Sequence, residues 1–264
     1  KNIANRKQAL LSKGYQTSGN IFEIQNEITV EIQKDHNDHI ILRVIDQGEG
    51  FQEKKLDKII DAIFQIQGAY ALVFLTQNIL IGVRDPYGIR PLIIGKLNDS
   101  YILASETCAL DIIGAKFIRE VENGEIVVIE ENKLKSIKPF PKTKERPCIF
   151  EYIYFSRPDS MLDGKSVYEC RKSFGKNLAK ECPANADIVV PVPDSGVPAA
   201  LGYSEESKIP FELSIIRNHY VGRTFILPTQ SNRQSSVKLK HNPDRGSIKG
   251  KSIVLVDDSI VRGT

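Results

Sequence analysis

Apolar positions follow two different periods in the first quarter of the chain. Residues 26–51 carry two β-branched runs separated by a polar turn, which predicts a pair of strands followed by a glycine-bearing turn. Residues 52–65 repeat apolar positions every three to four residues, which predicts an amphipathic helix. The apolar side chains on one face of that helix are Leu56, Ile59, Ile60 and Ile63. Residues 4–13 predict a short helix that Gly14 ends.

Short apolar runs separated by tight turns dominate residues 68–137. The turns carry Asn, Asp, Gly or Pro, so this part predicts a layered antiparallel β domain. A short helix interrupts the strands, with Ser105 as its predicted N-cap. Residues 138–147 are rich in Pro and Lys, which is typical of a linker.

The pattern changes after the linker. A helical stretch at 167–182 precedes a strand at 187–192, and a second helical stretch follows at 197–207. Elements that alternate in this way predict a parallel sheet. The last apolar run, residues 253–256, has no polar alternation, which predicts a strand buried on both faces. The predicted fold class is therefore α+β in the first part and α/β in the second.

Polar residues follow both predicted parallel strands where each strand ends. Asp194 and Ser195 follow the first strand, and Asp257 and Asp258 follow the second. Ligands of such sheets bind beyond the carboxyl ends of the strands. Residues 259–264 add backbone N–H groups, hydroxyls and a guanidinium, which suit an anion. Two adjacent carboxylates require compensation by a divalent cation or by hydroxyl donors.

Three interpretations of this acidic pair remain open at this point. It is an acidic strand end before a polar turn, the first strand of a receiver domain, or a loop that binds phosphoribosyl pyrophosphate (PRPP). A P-loop is excluded because G-x-x-x-x-G-K-[ST] does not occur in the sequence.

Composition narrows the class of protein. The 264 residues are 41% hydrophobic and 26% charged, which is ordinary for a globular chain of about two domains. A formal charge of +3 is too small to indicate nucleic-acid binding. No apolar run approaches a membrane span, and the first residues have no signal-peptide core, so a cytoplasmic protein without a membrane partner is expected.

Several long blocks closely resemble the amidophosphoribosyltransferase (glutamine PRPP amidotransferase) family, and the resemblance runs from about Gln67 to the last residue. The blocks are "IQGAYALVFLT", "VRDPYGIRPLIIGKL", "ASETCALDIIGAKF", "CIFEYIYFSRPDS", "VVPVPDSGVPAALGYSEESKIPFELSIIRNHYVGRTFILPTQSNR" and "VLVDDSIVRGT". Residues 2–14 are similar to the family too. The resemblance implies an N-terminal-nucleophile glutaminase of αββα architecture at residues 1–145, in part, and a type I phosphoribosyltransferase domain at 146–264, incomplete at its C-terminus.

The implied reaction is the first committed step of purine biosynthesis. Glutamine, or free ammonia, would supply the nitrogen that displaces pyrophosphate from C1 of PRPP, giving 5-phosphoribosylamine. Purine nucleotides are the implied feedback inhibitors, and a homo-oligomer is implied.

The resemblance also implies site residues. Ser195, Asp257 and Asp258 would lie near Mg²⁺, and residues 259–264 would hold the 5-phosphate of PRPP. That phosphate loop consists of Ser259, Ile260, Val261, Arg262, Gly263 and Thr264. A loop like the one that closes over PRPP in this family spans residues 218–243, where the candidate phosphate contacts are Arg223, Lys238 and Lys240. Cys148 occupies a position that supplies a thiolate to a [4Fe–4S] cluster in many relatives, but the other three cysteines of the chain do not match the remaining ligands.

Two departures from the family matter. The catalytic cysteine of the glutaminase should be N-terminal, whereas residue 1 is Lys and the first cysteine is Cys108, so no catalytic residue is identified and no glutaminase activity is expected. Compared with the usual length of the family, we expect this chain to be shortened at both ends. Residues 26–56 are atypical, and Asp46-x-Gly48-x-Gly50 is similar to a histidine-kinase turn, although a polar hairpin turn is the favoured interpretation.

Two other functions stay open. A two-component signalling protein would combine the kinase-like turn with a receiver-like acidic pair, but it gives no reason for the motifs at 191–200 and 218–225. A PRPP-binding module without turnover would keep the site and differ only in catalysis.

Overall fold

A computed structural model describes residues 59–76, 78–218 and 240–259, together with the backbone of four strands between residues 16 and 46. The chain divides into two compact units. The first contains residues 1–105 and 109–147, and the second contains residues 106–108 and 148–264.

The first unit contains three antiparallel sheets. The first sheet has the order β1-β2-β3-β4, in which neighbours in sequence are neighbours in space. Its strands are β1 (Gln16–Ser18), β2 (Ile21–Ile24), β3 (Ile28–Lys34) and β4 (Ile40–Asp46). The antiparallel pairing of β3 with β4 confirms the strand pair that the sequence predicts at 26–51.

The second sheet has the order β11-β10-β6-β5 and the third has the order β8-β7-β9. Their strands are β5 (Ala71–Leu75), β6 (Ile79–Arg84), β7 (Ile93–Leu97), β8 (Ser100–Ala104), β9 (Lys116–Glu120), β10 (Ile126–Glu130) and β11 (Lys133–Ile137). Helix α1 (Thr107–Ile112) follows β8. Because β9 and β11 are rich in Lys and Arg, their apolar pattern is weak and the sequence did not predict them.

A helical turn at residues 59–63 packs on the second sheet. Ile59 and Ile63 are buried against Ile81 and Val83 of β6, in agreement with the predicted apolar face. Leu56 and the predicted helix at 4–13 lie outside the described residues.

The second unit is built on helices and short strands. The elements before the site are a π-helix (Glu151–Phe155), β12 (Met161–Leu162), β13 (Lys165–Ser166) and α2 (Val167–Glu181). The elements that form the site are β14 (Ile188–Pro191), α3 (Val197–Ser207), β15 (Ile215–Arg217), β16 (His241–Pro243), α4 (Arg245–Ile248) and β17 (Ile253–Val256). β14 and β17 pair in parallel, as their sequence pattern predicts.

Helices α2 and α3 cover one face of the β14–β17 pair. Ala179 of α2 and Ala200 of α3 pack with Val189 and Val256 in one buried cluster. The prediction that β17 is buried on both faces is wrong for the described chain, because Ile253 and Leu255 are 38% and 54% exposed. An apolar run shows that a strand can be buried, but the elements that pack on each face decide whether it is.

Two further expectations need correction. Helix α1 begins at Thr107, so Ser105 lies two residues before the helix and not at its N-cap. Residues 138–147 contain no helix or strand, as a linker should, but they are attached to the first unit. Phe140 packs on Phe64 with ring centroids 4.5 Å apart, and the backbone N–H of Arg146 donates to the Tyr87 carbonyl at 2.8 Å.

Candidate functional site

Two strand ends meet at one edge of the parallel pair. Pro191, the last residue of β14, is the register partner of Val256, the last residue of β17. The backbone N–H of Val192 continues the pairing by donating to the Val256 carbonyl at 2.8 Å. The chain therefore leaves both strands at the same edge, which confirms that the segments starting at Asp194 and Asp257 share it.

Helix α3 begins at this edge. Gly196 is its N-cap and Pro198 lies in its first turn, where a missing N–H costs nothing. A Cβ atom at Gly196 would lie only 2.5 Å from the Val256 carbonyl oxygen, so the helix start packs directly on the end of β17. Ser195 immediately precedes the N-cap residue Gly196, and the first-turn N–H groups of α3 give the edge a positive partial charge.

The acidic pair is held by local hydrogen bonds. The backbone N–H of Asp258 donates to Asp257 Oδ1 at 2.8 Å, and the Ser259 hydroxyl donates to Asp258 Oδ1 at 2.7 Å. Partial burial raises the pKa of Asp257, and the neighbouring charge of Asp258 raises it further. No Lys or Arg forms an ion pair with either carboxylate among the described residues.

These oxygen atoms fit Mg²⁺ as a candidate ligand set. Mg²⁺ binds proteins through one or two carboxylates and takes its remaining oxygen ligands from water and substrate phosphates. The two carboxylates at the strand end and the Ser195 hydroxyl at the start of α3 are groups of this kind.

A β-ribbon stands beside the edge. β15 and β16 pair antiparallel, with Arg217 opposite His241, and the Asn218 N–H donates to the Lys240 carbonyl at 2.7 Å. Lys240, a predicted phosphate contact, thus lies at the base of the segment that joins the two strands. Residues 219–239 of that segment, including Arg223 and Lys238, lie outside the described residues. So do Ile260, Val261, Arg262, Gly263 and Thr264 of the predicted phosphate loop.

The ribbon contributes two side chains that the sequence did not single out. The Arg217 guanidinium donates to the Asp194 carboxylate. His241 hydrogen-bonds with the Pro193 carbonyl, and its pKa is lowered by burial and by the nearby Lys240 charge. The Asp257 carboxylate lies close enough to oppose this shift. Nε of Arg217 and Nε2 of His241 are both buried and lack a hydrogen-bond partner among the described residues.

Arg171 is a third residue that the sequence analysis missed. It lies in the buried stripe of α2, one helical turn before Gly175, and it is 5% exposed. An arginine at a four-residue spacing from Val167 and Gly175, on the buried face of a helix, is the signal that could have found it.

The cysteines do not fit an iron–sulfur cluster within the described chain. Cys108, Cys148, Cys170 and Cys182 are all free thiols. No group of three His, Cys, Asp or Glu side chains in the described part could hold a metal ion, and a [4Fe–4S] cluster needs four ligands. Cys148 alone therefore does not support one.

No helix in the described ranges combines the length and the apolar character needed to cross a membrane.

Comparison with known proteins identifies relatives along most of the chain. A family model described as a glutamine amidotransferase domain matches residues 19–111. The amidophosphoribosyltransferase of Rhizobium etli is 60% identical over 213 residues, which cover 79% of this chain and 43% of that protein. The amidophosphoribosyltransferase of Bacillus subtilis is 43% identical over 263 residues, covering 100% of this chain and 52% of that protein. That alignment includes the atypical residues 26–56.

A solved structure agrees with these matches. Glutamine PRPP amidotransferase from B. subtilis, complexed with ADP and GMP, superposes with a TM-score of 0.73 at 47% identity and covers 82% of this chain and 47% of its own. This chain spans about 37% to 52% of the length of the curated relatives it matches. Across the part that it shares with them, the chain is similar to amidophosphoribosyltransferases over most of its own length.

Proposed function

We propose that this chain is part of an amidophosphoribosyltransferase, a pentosyltransferase that makes 5-phosphoribosylamine from PRPP in purine biosynthesis. The first unit would correspond to a glutamine amidotransferase domain of the N-terminal-nucleophile type, which the family model at residues 19–111 supports. The second unit would be a type I phosphoribosyltransferase domain. Glutamine would be the source of ammonia in the whole protein.

The proposed reaction exchanges one bond at C1 of the ribose. The C1–O bond breaks and its electron pair leaves with pyrophosphate, while the lone pair of ammonia forms the C1–N bond and the nitrogen then releases a proton. Asp257 and Asp258 would accept hydrogen bonds from the ribose hydroxyls and stabilise the positive charge that develops on the ring. When bound, Mg²⁺ would neutralise negative charge on the leaving pyrophosphate.

The edge shared by β14 and β17 carries this proposal. It brings together a helix N-terminus, which suits phosphate, and two carboxylates whose negative charge needs a cation or hydroxyl donors. A magnesium complex of a phosphorylated sugar supplies both. Ser259 to Thr264 and Lys240 would bind its 5-phosphate and pyrophosphate, with Arg223 and Lys238 as further candidates.

A PRPP-binding module without turnover is the second candidate, because the same edge would bind the sugar equally well. Ammonia-dependent release of pyrophosphate separates the two. A signalling function is not supported, because the relatives matched above are amidophosphoribosyltransferases and their alignment reaches across the whole chain in one case.

Calorimetry with PRPP tests the proposal. We expect PRPP uptake that requires Mg²⁺ and that is lost in an Asp257→Asn/Asp258→Asn variant. Asp99→Asn/Asp111→Asn is the matched control, since it removes two exposed carboxylates from the first unit. Binding that is absent in the unmodified chain, or unchanged in the Asp257/Asp258 variant, would overturn the proposal.

Other properties of the whole protein are proposed on the same basis. Purine nucleotides would act as feedback inhibitors, in line with the ADP and GMP complex of the B. subtilis enzyme. We also propose a homo-oligomer located in the cytoplasm.

A further inference from the structure

Two segments that carry candidate ligand groups reach the edge of the parallel pair from different parts of the chain. The turn at residues 192–196, between β14 and α3, carries Ser195, a candidate Mg²⁺ ligand. The β15–β16 ribbon ends beside Lys240, a candidate phosphate contact. A ligand that uses both groups needs them at a fixed separation, so contacts between the turn and the ribbon affect how tightly it binds.

Backbone hydrogen bonds hold this turn at its two ends. The Val192 N–H donates to the Val256 carbonyl at 2.8 Å, and the Gly196 N–H donates to the Val192 carbonyl at 3.0 Å. In the middle of the turn, the Asp194 carbonyl accepts from the Val197 N–H at 3.3 Å, which is longer than usual for such a bond. The middle of the turn therefore depends more than its ends on contacts made by side chains.

Arg217 supplies such a contact from the ribbon. Its Nη1 donates to an oxygen of the Asp194 carboxylate, which joins the last residue of β15 to the middle of the turn by an ion pair. The Arg217 side chain is only 32% exposed, and its Nε is buried with no hydrogen-bond partner among the described residues. A buried donor without a partner costs free energy, and the pair with Asp194 offsets part of that cost.

His241 makes a second contact between the same two segments. It lies opposite Arg217 in the ribbon and hydrogen-bonds with the Pro193 carbonyl, one residue before Asp194. Lys240 is the residue immediately before His241. One position of the ribbon, directly beside Lys240, thus contacts two consecutive residues of the turn.

We propose that Arg217 is a positioning residue for the candidate site, which acts through Asp194 to fix the turn against the ribbon. The ion pair sets the position of Ser195 relative to Lys240 at the pyrophosphate end of PRPP. This inference rests on the proposed function, in which Mg²⁺ near Ser195 neutralises the leaving pyrophosphate. Without the pair, the turn has to be ordered when the ligand binds, and that loss of conformational freedom lowers the affinity.

A comparison of three ligands provides the test. Calorimetry measures binding of PRPP, of pyrophosphate and of ribose 5-phosphate, each with Mg²⁺. In Arg217→Gln and in Asp194→Asn we expect PRPP and pyrophosphate to bind about three- to tenfold more weakly, the range for one hydrogen bond to a charged group that water partly screens. Ribose 5-phosphate lacks the pyrophosphate, so its affinity should stay within about twofold.

The sign of the Asp194→Asn effect separates positioning from simple charge. If charge alone mattered, removing a carboxylate beside an anion would tighten binding, whereas removing the guanidinium would weaken it. A positioning role predicts that both variants bind pyrophosphate more weakly. The Arg217→Gln/Asp194→Asn double variant should bind no more weakly than the weaker single variant, because both changes remove the same interaction.

Two further variants serve as rescue and control. Arg217→Lys keeps the charge and a donor, so its pyrophosphate affinity should stay within about threefold of that of the unmodified chain. Arg157→Gln/Asp159→Asn breaks an exposed Arg–Asp pair of the same unit, with the atoms 2.7 Å apart, and should change no affinity. Circular dichroism confirms that each variant is folded.

The outcomes distinguish this inference from the proposed function. Tighter pyrophosphate binding in Asp194→Asn, unchanged binding in both single variants, additive losses in the double variant, or an equal loss for ribose 5-phosphate overturns the inference while the proposed function stands. If Arg217→Gln does not fold, Asp194→Asn decides by its sign. An unmodified chain that binds neither PRPP nor pyrophosphate overturns both.

Discussion

Gly196 lies directly against the carbonyl oxygen of Val256. A Cβ atom at position 196 would be 2.5 Å from that oxygen and 2.9 Å from the Val192 carbonyl oxygen. Both obstacles are backbone atoms at the ends of the parallel strands, which cannot move aside as a side chain can. The start of α3 can therefore approach the end of β17 this closely only because residue 196 is a glycine.

Gly196→Ala should lower the free energy of unfolding by about 1 to 3 kcal/mol, because the added methyl group overpacks this contact. It should also weaken PRPP binding, since α3 must shift from the sheet edge. Urea unfolding and calorimetry measure the two effects. Gly246→Ala is the control, because its Cβ would find the nearest atom at an ordinary 3.5 Å. Equal stability of the two variants would contradict the prediction.

Phe140→Ala should destabilise the first unit by about 2 to 3 kcal/mol, although residue 140 lies in a segment that resembles a linker. The Phe140 ring contacts Phe64 and packs against the cluster around Ile81. Chemical denaturation monitored by circular dichroism is the measurement. Lys142→Ala, at an exposed position two residues later, should change stability by less than about 0.5 kcal/mol. If Phe140→Ala also changes the free energy of unfolding by less than about 0.5 kcal/mol, residues 138–147 do not contribute to the packing of the first unit and the prediction is wrong.

Glu125→Gln should lower the free energy of unfolding of the first unit by about 2 to 4 kcal/mol at pH 7. The Glu125 side chain is fully buried, and Arg119 donates to its two oxygens at 2.7 and 2.8 Å. Burial acts to raise the pKa of Glu125, but hydrogen bonds from Arg119, Ser136 and the Glu122 N–H outweigh it and lower the pKa.

The sign of the pH dependence follows from that lowered pKa. The stabilisation by Glu125 is complete above the ordinary carboxyl range and is lost as pH falls through the lower pKa of the folded state. The difference in free energy of unfolding between Glu125→Gln and the unmodified chain, measured by urea unfolding, should therefore become smaller at acid pH. Glu122→Gln, which breaks an exposed ion pair with Lys138, should cost less than about 1 kcal/mol. A difference that stays constant down to acid pH would rule out the ionised carboxylate as its source.

His241 should make the second unit less stable as pH falls below neutrality. Burial and the charges of Lys240 and Arg217 lower its pKa, against the opposing effect of the Pro193 carbonyl and Asp257. The unfolded chain therefore takes up a proton near the ordinary histidine range while the folded chain does not, so stability is lost as pH decreases. Urea midpoints between pH 5 and 8 should fall in acid for the unmodified chain and less steeply for His241→Gln. Identical slopes would contradict this role.

Local patterns in the sequence were sufficient for α2, β14, α3 and β17 of the second unit, but they did not predict the π-helix, β12, β13, β15, β16 or α4. Val197–Ser207 and Ile253–Val256 begin and end where their patterns predict, because each pattern reflects a period or a turn residue within one element. The parallel pairing of β14 with β17 followed from the alternation of strands and helices. Placement of Asp194 and Asp257 at one edge then needed no further information.

Side-chain environments could not be read from those patterns. Arg217 pairs with Asp194 across 23 positions of sequence, and the buried Arg171 donates to the carbonyls of Tyr152 and Ser156, 19 and 15 positions away. Ile253 and Leu255 have the same apolar character as the buried Val256, yet they are exposed. Hydrophobic period and turn chemistry are properties of neighbouring residues along the chain, whereas burial and charge balance depend on which distant elements pack together, and only the folded molecule contains that information.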